Sequence, residues 1–264
     1  MLIDELFSRL WDGYAAITPQ AAKVHRLLEQ RGERVVNDHI ALRTFGLPEV
    51  HIEILDRAFV DAGYLPAESY EFPDKYLVAT HYEHPERQMP KVFISALEVS
   101  ELSKPARDAI AGLVGQMEPG VVARATFAVS GRPWQVSYET YQLLQKESEY
   151  AAWLAAFGFC ANHFTVDVNR LGTLGDLAAL NDFLKQHGFR LNDAGGEIKG
   201  SRDVYLEQSS TMADEVEVEF SDGSRRVPSC YYEFARRYEM PDGSVFQGFV
   251  THSANRLFES TDAR

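Results

Sequence analysis

NDHIALRTF, residues 37–45, and ANHFTVDV, residues 161–168, state one pattern twice. Each places a histidine, His39 or His163, near the start of a strand-like run. After His39 the chain passes through Ile40, Leu42 and Phe45 to a turn at Gly46-Leu47-Pro48. An amphipathic segment from about Val50 to Ala62 follows, then Gly63-Tyr64-Leu65-Pro66. After His163 come Val166 and Val168, a turn near Gly172, an amphipathic segment from about Leu174 to His187, and Gly188-Phe189-Arg190-Leu191. The spacing from histidine to glycine is 24 residues in one copy and 25 in the other. An internal period of this kind identifies the repeating structural unit before any single element is assigned. Here it predicts two modules, each opening strand-then-helix and each offering one histidine at an equivalent place.

The rest of the chain fits that frame. Residues 1–33 read as two helices: Leu2, Leu6, Leu10 and Tyr14 share a face, and Thr18 before Pro19 marks a second helix start that runs to Gly32. This pair is expected to pack over the first module as a lid or brace. Residues 34–135 form the first module, with a strand over 35–44, a helix over 50–62 and strand-like runs at 76–80 and 91–96. The linker Tyr82–Pro90 reads as a solvated loop carrying His84, with His81 beside it. A helix over 97–117 is capped at Ser103. Residues 136–158 read as one linking helix. Residues 159–264 form the second module, with strands near 197–199, 203–207, 215–220 and 229–237 and a turn at Asp222-Gly223. The expected class is α+β: two βαβββ modules whose mixed and antiparallel sheets curl around a central cavity, with N-terminal and linking helices added.

The bulk numbers bound the function. With 264 residues, 45% hydrophobic and 12% aromatic, the chain can bury a large core and is too apolar to be disordered. A net charge of −13 argues against nucleic acid as a partner, because that affinity comes from Lys and Arg on phosphates. The stretch MLIDELFSRLWDGY carries acidic residues inside its apolar run, so it reads as neither signal peptide nor membrane span. Two cysteines, Cys160 and Cys230, make no disulfide framework, and the expected location is cytoplasmic.

Strand alternation sets which side chains can meet. His39, Ala41 and Arg43 share a face, as do His163, Thr165 and Asp167. In the last strand Tyr231, Glu233, Ala235 and Arg237 share one face, while Cys230, Tyr232 and Phe234 take the other. Glu233 lies in a largely apolar segment, where an acid wants a metal or an arginine. Glu215, Glu217 and Glu219 instead read as the wet face of a strand. His39, His163 and Glu233 converging from three strands would make a facial triad with open positions, the arrangement of non-haem Fe(II) oxygenases. Cys160 and Cys230, each three residues before a proposed ligand, fall on opposite strand faces from those ligands and read as buried thiols, not zinc ligands. Arg43 and Arg237 are candidate carboxylate receptors through the guanidinium fork; the competing reading of Arg237 is an ion pair with Glu233 or Asp167. Lys91, Ser95, Ser209, Ser210 and Thr211 are further candidates for the cavity wall, and Ser210 is assigned to the substrate.

These motifs resemble a known family. One histidine per module and a late glutamate is the pattern of the vicinal oxygen chelate superfamily. The segment YYEFARRYEMPDGSVFQGFVTHSANRLFES, residues 231–260, resembles the ligand-bearing C-terminal segment of 4-hydroxyphenylpyruvate dioxygenase, with a Gly-Phe pair and an aromatic-acidic end at Phe258-Glu259. NDHIALRTF, PKVFISALEVSELS, ANHFTVDVN and YYEFARR together resemble the 2-oxoadipate dioxygenase/decarboxylase, or hydroxyglutarate synthase, family of lysine catabolism. The resemblance implies Fe(II), which Zn, Ni or another divalent metal could replace in a purified sample, held by His39, His163 and Glu233, with Arg43 gripping a substrate carboxylate. It implies oxidative decarboxylation of a 2-oxo dicarboxylic acid by O2, giving 2-hydroxyglutarate from 2-oxoadipate. Two other readings keep part of this: a glyoxalase-like isomerase or hydrolase with the same metal site, and a non-catalytic binding module.

Overall fold

The computed structural model describes residues 3–86 and 88–250. Leu2, Arg87, His252 and the aromatic-acidic end Phe258-Glu259 lie outside the described residues.

In the first module strand β1 (Asn37–Phe45) leads through two helical turns, α3 (Ile52–Leu55) and α4 (Arg57–Val60), after the N-terminal helices α1 (Ile3–Ile17) and α2 (Pro19–Gln30). Strands β2 (Leu65–Phe72), β3 (Leu77–Glu83) and β4 (Lys91–Leu97) follow. Helices α5 (Lys104–Val114), α6 (Tyr138–Gln145) and α7 (Glu149–Phe157) link to the second module. There β5 (Ala161–Asp167) precedes helix α8 (Leu177–Gln186), β6 (Lys199–Ser201), β7 (Leu206–Ser210), a hairpin of β8 (Glu215–Phe220) and β9 (Gly223–Pro228), and finally β10 (Glu233–Arg237).

One eight-stranded sheet carries the order β2-β3-β4-β1-β5-β10-β7-β6. In each half the opening strand runs parallel to the last one, β1 with β4 and β5 with β10, and the remaining pairs are antiparallel. β1 and β5 pair antiparallel to join the halves. The repeated βαβββ units are therefore the repeated sequence, joined through the two strands that carry the histidines.

The structure revises several boundaries. The helix expected over 50–62 keeps its apolar face, Ile52, Leu55 and Phe59, but splits at Asp56, whose carbonyl accepts the Phe59 amide at 2.8 Å. The single linking helix is two, because Ser148 accepts the Ala151 amide and starts α7 afresh. Every residue of α7 from Tyr150 to Phe157 is buried, as befits a helix apolar all round after its first residue. Ser103 does cap α5, whereas Thr18 makes no side-chain hydrogen bond to α2. Glu215, Glu217 and Glu219 do point to solvent, but from a hairpin inserted between β7 and β10, outside the module's sheet. The strand expected over 229–237 accordingly begins only at Glu233.

Helix α1 is a brace and not a lid over the first module. Phe7 packs on Phe59 and Tyr64 of the first half, while Trp11 and Tyr14 pack on Phe164 of the second. Phe164 alternates with His163 and Thr165, so α1 covers the back of the sheet across the seam, away from the histidines.

Candidate metal centre

The seam between β1 and β5 brings the ligands together through its register. Thr165 pairs with His39 on one side and with Glu233 on the other, and His163 lies two residues earlier on the same face. The ligand atoms of His39, His163 and Glu233 all lie within 4.8 Å of one another, and all three residues are buried. Glu233 Oε1 is 3.6 Å from His39 Nε2, and its Oε2 is 3.3 Å from His163 Nε2.

Two matched irregularities aim the rings. The β1–β5 ladder skips Asp38 between Asn37 and His39, and skips Asn162 between His163 and Ala161. A skipped residue breaks alternation and lets neighbours point the same way, a common device beside active sites. Asp38 Oδ1 lies 2.8 Å from His39 Nδ1, and Asn162 Oδ1 lies 2.9 Å from His163 Nδ1. Each Nδ1–H is thereby held by an oxygen, which leaves Nε2 as the lone-pair donor facing the centre.

The donor set fits a divalent cation. Burial holds both imidazoles below their ordinary pKa, so they are neutral; for His163 the nearby His39 and Arg43 add to the effect. Burial also pushes the Glu233 carboxyl up to about 8, although the Gln208 side-chain amide donates to its Oε1 at 2.6 Å. Two neutral nitrogens and a buried carboxylate lacking, among the described residues, a cationic neighbour in contact are what a metal would complete. In the first module the position equivalent to Glu233 is Phe93, since Ala41 pairs with Phe93 as Thr165 pairs with Glu233.

A cavity of about 30 Å³ opens from the triad towards Arg43, Ser95 and Tyr231. Arg43 is buried with its guanidinium 4.8 Å from the Tyr150 ring and 5.1 Å from that of Trp153. Phe249 closes the other side, edge-on to His39 at 4.8 Å and 5.0 Å from Phe93.

Arg237 sits elsewhere than expected. Its Nε and Nη2 donate to Asp38 at 2.6 and 2.9 Å, and its Nη1 to the carbonyls of Phe246 and Gly248 at 3.2 and 2.8 Å. The fork orients the His39 partner and ties down the segment that carries Phe249, and the ion pair is with Asp38, not Glu233 or Asp167. Ser210 lies across from Glu233 on β7 but does not line the cavity; Gln208, two residues earlier on that face, does. His81 is a buried strand residue bonded to the Tyr70 hydroxyl at 2.9 Å, not a solvated loop histidine. Both cysteines are free thiols outside the triad.

A buried triad of two histidines and a glutamate at the seam of paired βαβββ modules is a candidate metal centre on a vicinal oxygen chelate-like fold. The sequence profile of the 2-oxoadipate dioxygenase/decarboxylase family matches residues 6–119 and 112–245. A rice 2-oxoadipate dioxygenase/decarboxylase of the chloroplast or amyloplast is 34% identical over 94% of this chain and 75% of its own. The chain belongs to the 2-oxoadipate dioxygenase/decarboxylase family. Its fold is shared with the crystal structure of rice hydroxyglutarate synthase in complex with 2-oxoadipate, at 33% identity and a TM-score of 0.91 over 97% of this chain and 91% of that one. A Shewanella frigidimarina protein described as a hydrolase is 50% identical, with a TM-score of 0.90 over 94% of this chain and 97% of that one.

Proposed function

We propose that the protein is an Fe(II)-dependent dioxygenase that converts 2-oxoadipate and O2 to 2-hydroxyglutarate and CO2, with both oxygen atoms ending in the products. The observation that carries this reading is the convergence of His39, His163 and Glu233 beside the buried Arg43. His39, His163 and Glu233 would hold the iron, which when bound supplies Lewis acidity, electrons for O2 and a template for a chelating 2-oxo acid. The chain supplies the rest. Asp38 and Asn162 fix the imidazoles, and Gln208 fixes the carboxylate. Arg43 neutralises a substrate carboxylate in a site its aromatic neighbours keep dry. Phe93 and Phe249 exclude bulk water from the reacting end. A cavity of about 30 Å³ has room for little more than a water, so side chains that line it must move when substrate enters. The free thiols Cys160 and Cys230 support a reducing, cytoplasmic setting.

The test is anaerobic loading with Fe(II) followed by an oxygen electrode during addition of 2-oxoadipate and of shorter and longer 2-oxo acids. Stoichiometric oxygen uptake with 2-oxoadipate is expected, and none with any oxo acid overturns the reading. The description of the Shewanella relative as a hydrolase favours one alternative, oxygen-independent Lewis-acid chemistry. Turnover with Zn(II) or Ni(II) and no oxygen uptake would establish it instead.

A further inference from the structure

Thr165 lies between all three ligands of the triad. It pairs with His39 on one neighbouring strand and with Glu233 on the other, shares a strand face with His163, and is fully buried. Its hydroxyl is 3.0 Å from His39 Nε2. Asp38 holds the Nδ1–H of that ring, so Nε2 carries the lone pair and the hydroxyl is the donor. A metal bond to His39 needs the same lone pair. The hydroxyl proton and a metal therefore exclude each other at Nε2, and a buried hydroxyl displaced from one acceptor needs a second.

That second acceptor is in reach. Burial pushes the Glu233 carboxyl up, and hydrogen bonds from Gln208 and from the Thr165 hydroxyl offset part of the push. The internal repeat ties the hydroxyl to the carboxylate. Two positions after His163 comes Thr165, paired with Glu233; two positions after His39 comes Ala41, paired with Phe93. The half that lacks the carboxylate lacks the hydroxyl as well, so the hydroxyl goes with the glutamate and not with the strand.

We infer that Thr165 is a positioning residue of the metal centre that changes partners: its hydroxyl donates to His39 Nε2 in metal-free protein and to the Glu233 carboxylate once the three ligands are engaged. The inference rests on the triad being a metal site, not on the reaction run there. Two opposite effects follow. The bond to His39 competes with loading, because only the fraction of protein with a free Nε2 lone pair can bind. The bond to Glu233 favours retention, and it is the stronger of the two because its acceptor is charged.

Thr165→Val keeps the branched shape in β5 and removes the hydroxyl. The probe is Zn(II), transferred from a coloured indicator to metal-free protein, with the rate read by stopped flow and the affinity at equilibrium. Loading should be roughly two- to tenfold faster than in wild type, since one neutral hydrogen bond no longer competes, while affinity falls about five- to tenfold. Packing damage alone would weaken affinity without speeding loading. Thr165→Ser retains the hydroxyl and should restore both wild-type values; Thr165→Ala, which lacks it, should repeat the valine pattern and stands in if valine disturbs the fold. Loading no faster without the hydroxyl, Zn(II) held as tightly as in wild type, or a serine variant that behaves like valine overturns the inference. Wild-type protein that takes up no Zn(II), or takes up as much after Glu233→Gln, would refute the metal site itself and the inference with it.

Discussion

Replacing Asp38 by asparagine tests the link between the buried arginine and the metal ligand. Asp38 receives two bonds from Arg237, at 2.6 and 2.9 Å, and holds His39 Nδ1 at 2.8 Å, and both charged residues are buried. Asparagine can still accept from His39, as Asn162 does from His163, so the ligand stays oriented. The guanidinium, however, loses its counter-ion. Stranding one partner of a buried pair costs about 3–5 kcal/mol. The carbonyls of Phe246 and Gly248 still solvate Arg237, so about 3 kcal/mol is the expected loss, at the lower end of that range. For a chain of this size that lowers the melting temperature by roughly 6–12 °C. Asp38→Ala should lose the same stability and, because it frees the His39 ring, also weaken metal binding by about 10–100-fold. The measurements are thermal melts in EDTA and competitive titration with a metal indicator. If Asp38→Asn melts with the wild type, or if the two variants bind metal equally, the ion pair does not connect the two roles assigned to it.

Glu233→Gln should leave the metal-free fold intact, since glutamine is isosteric and neutral in a buried site, while reducing bound metal to well below one per chain by elemental analysis. Arg43→Ala should retain full metal but raise the KM for 2-oxoadipate by roughly 100-fold or more, as expected for a charged, two-pronged contact; metal loss would make Arg43 a scaffold residue. Gly158→Ala should abolish soluble expression: its φ is +69°, and an added Cβ would sit 2.2 Å from the Gly131 carbonyl oxygen, which belongs to backbone bridged to Phe159. Glu33 accepts from Gly172 and from both the amide and hydroxyl of Thr173, and although burial opposes it, these donors hold its carboxyl below the ordinary glutamate range. A depressed folded pKa contributes stability above the unfolded value, about 4.3, and loses it as pH falls through the folded one. The stability gap between wild type and Glu33→Gln, followed by urea melts, should therefore be constant near neutrality and close below about pH 4.3.

His39 and His163 were legible because the repeat gave each the other's context, and Glu233 because an acid flanked by Tyr232 and Phe234 needs a partner. Asp38 and Asn162 were present in the same repeat, each immediately before its histidine, yet strict alternation sends adjacent strand residues to opposite faces. The skipped residues in the β1–β5 ladder are what overrule it, and no side chain in the sequence announces them. Gln208 was hidden for another reason: β7 is five residues long, with its last four residues polar, so neither face declares itself inward. Arg237 was placed on the correct face, but the face carries both the metal side and its outer rim, and alternation could not show that its partner is Asp38. The hairpin β8–β9 shows the limit of pattern: its alternation is real, but alternation identifies a strand and not the sheet it joins.

The place of Phe93 opposite Glu233 in the two halves has a consequence for how a duplicated scaffold acquires reactivity. A perfectly symmetric pair of modules would present two carboxylates and two imidazoles, one protein ligand more and one open position fewer than the triad. Aromatic carbon at position 93 breaks that symmetry and caps the protein's contribution at three ligands. Restoring the symmetry with Phe93→Glu should bind divalent metal more tightly and react less, turning a centre built for exchange into one built for storage.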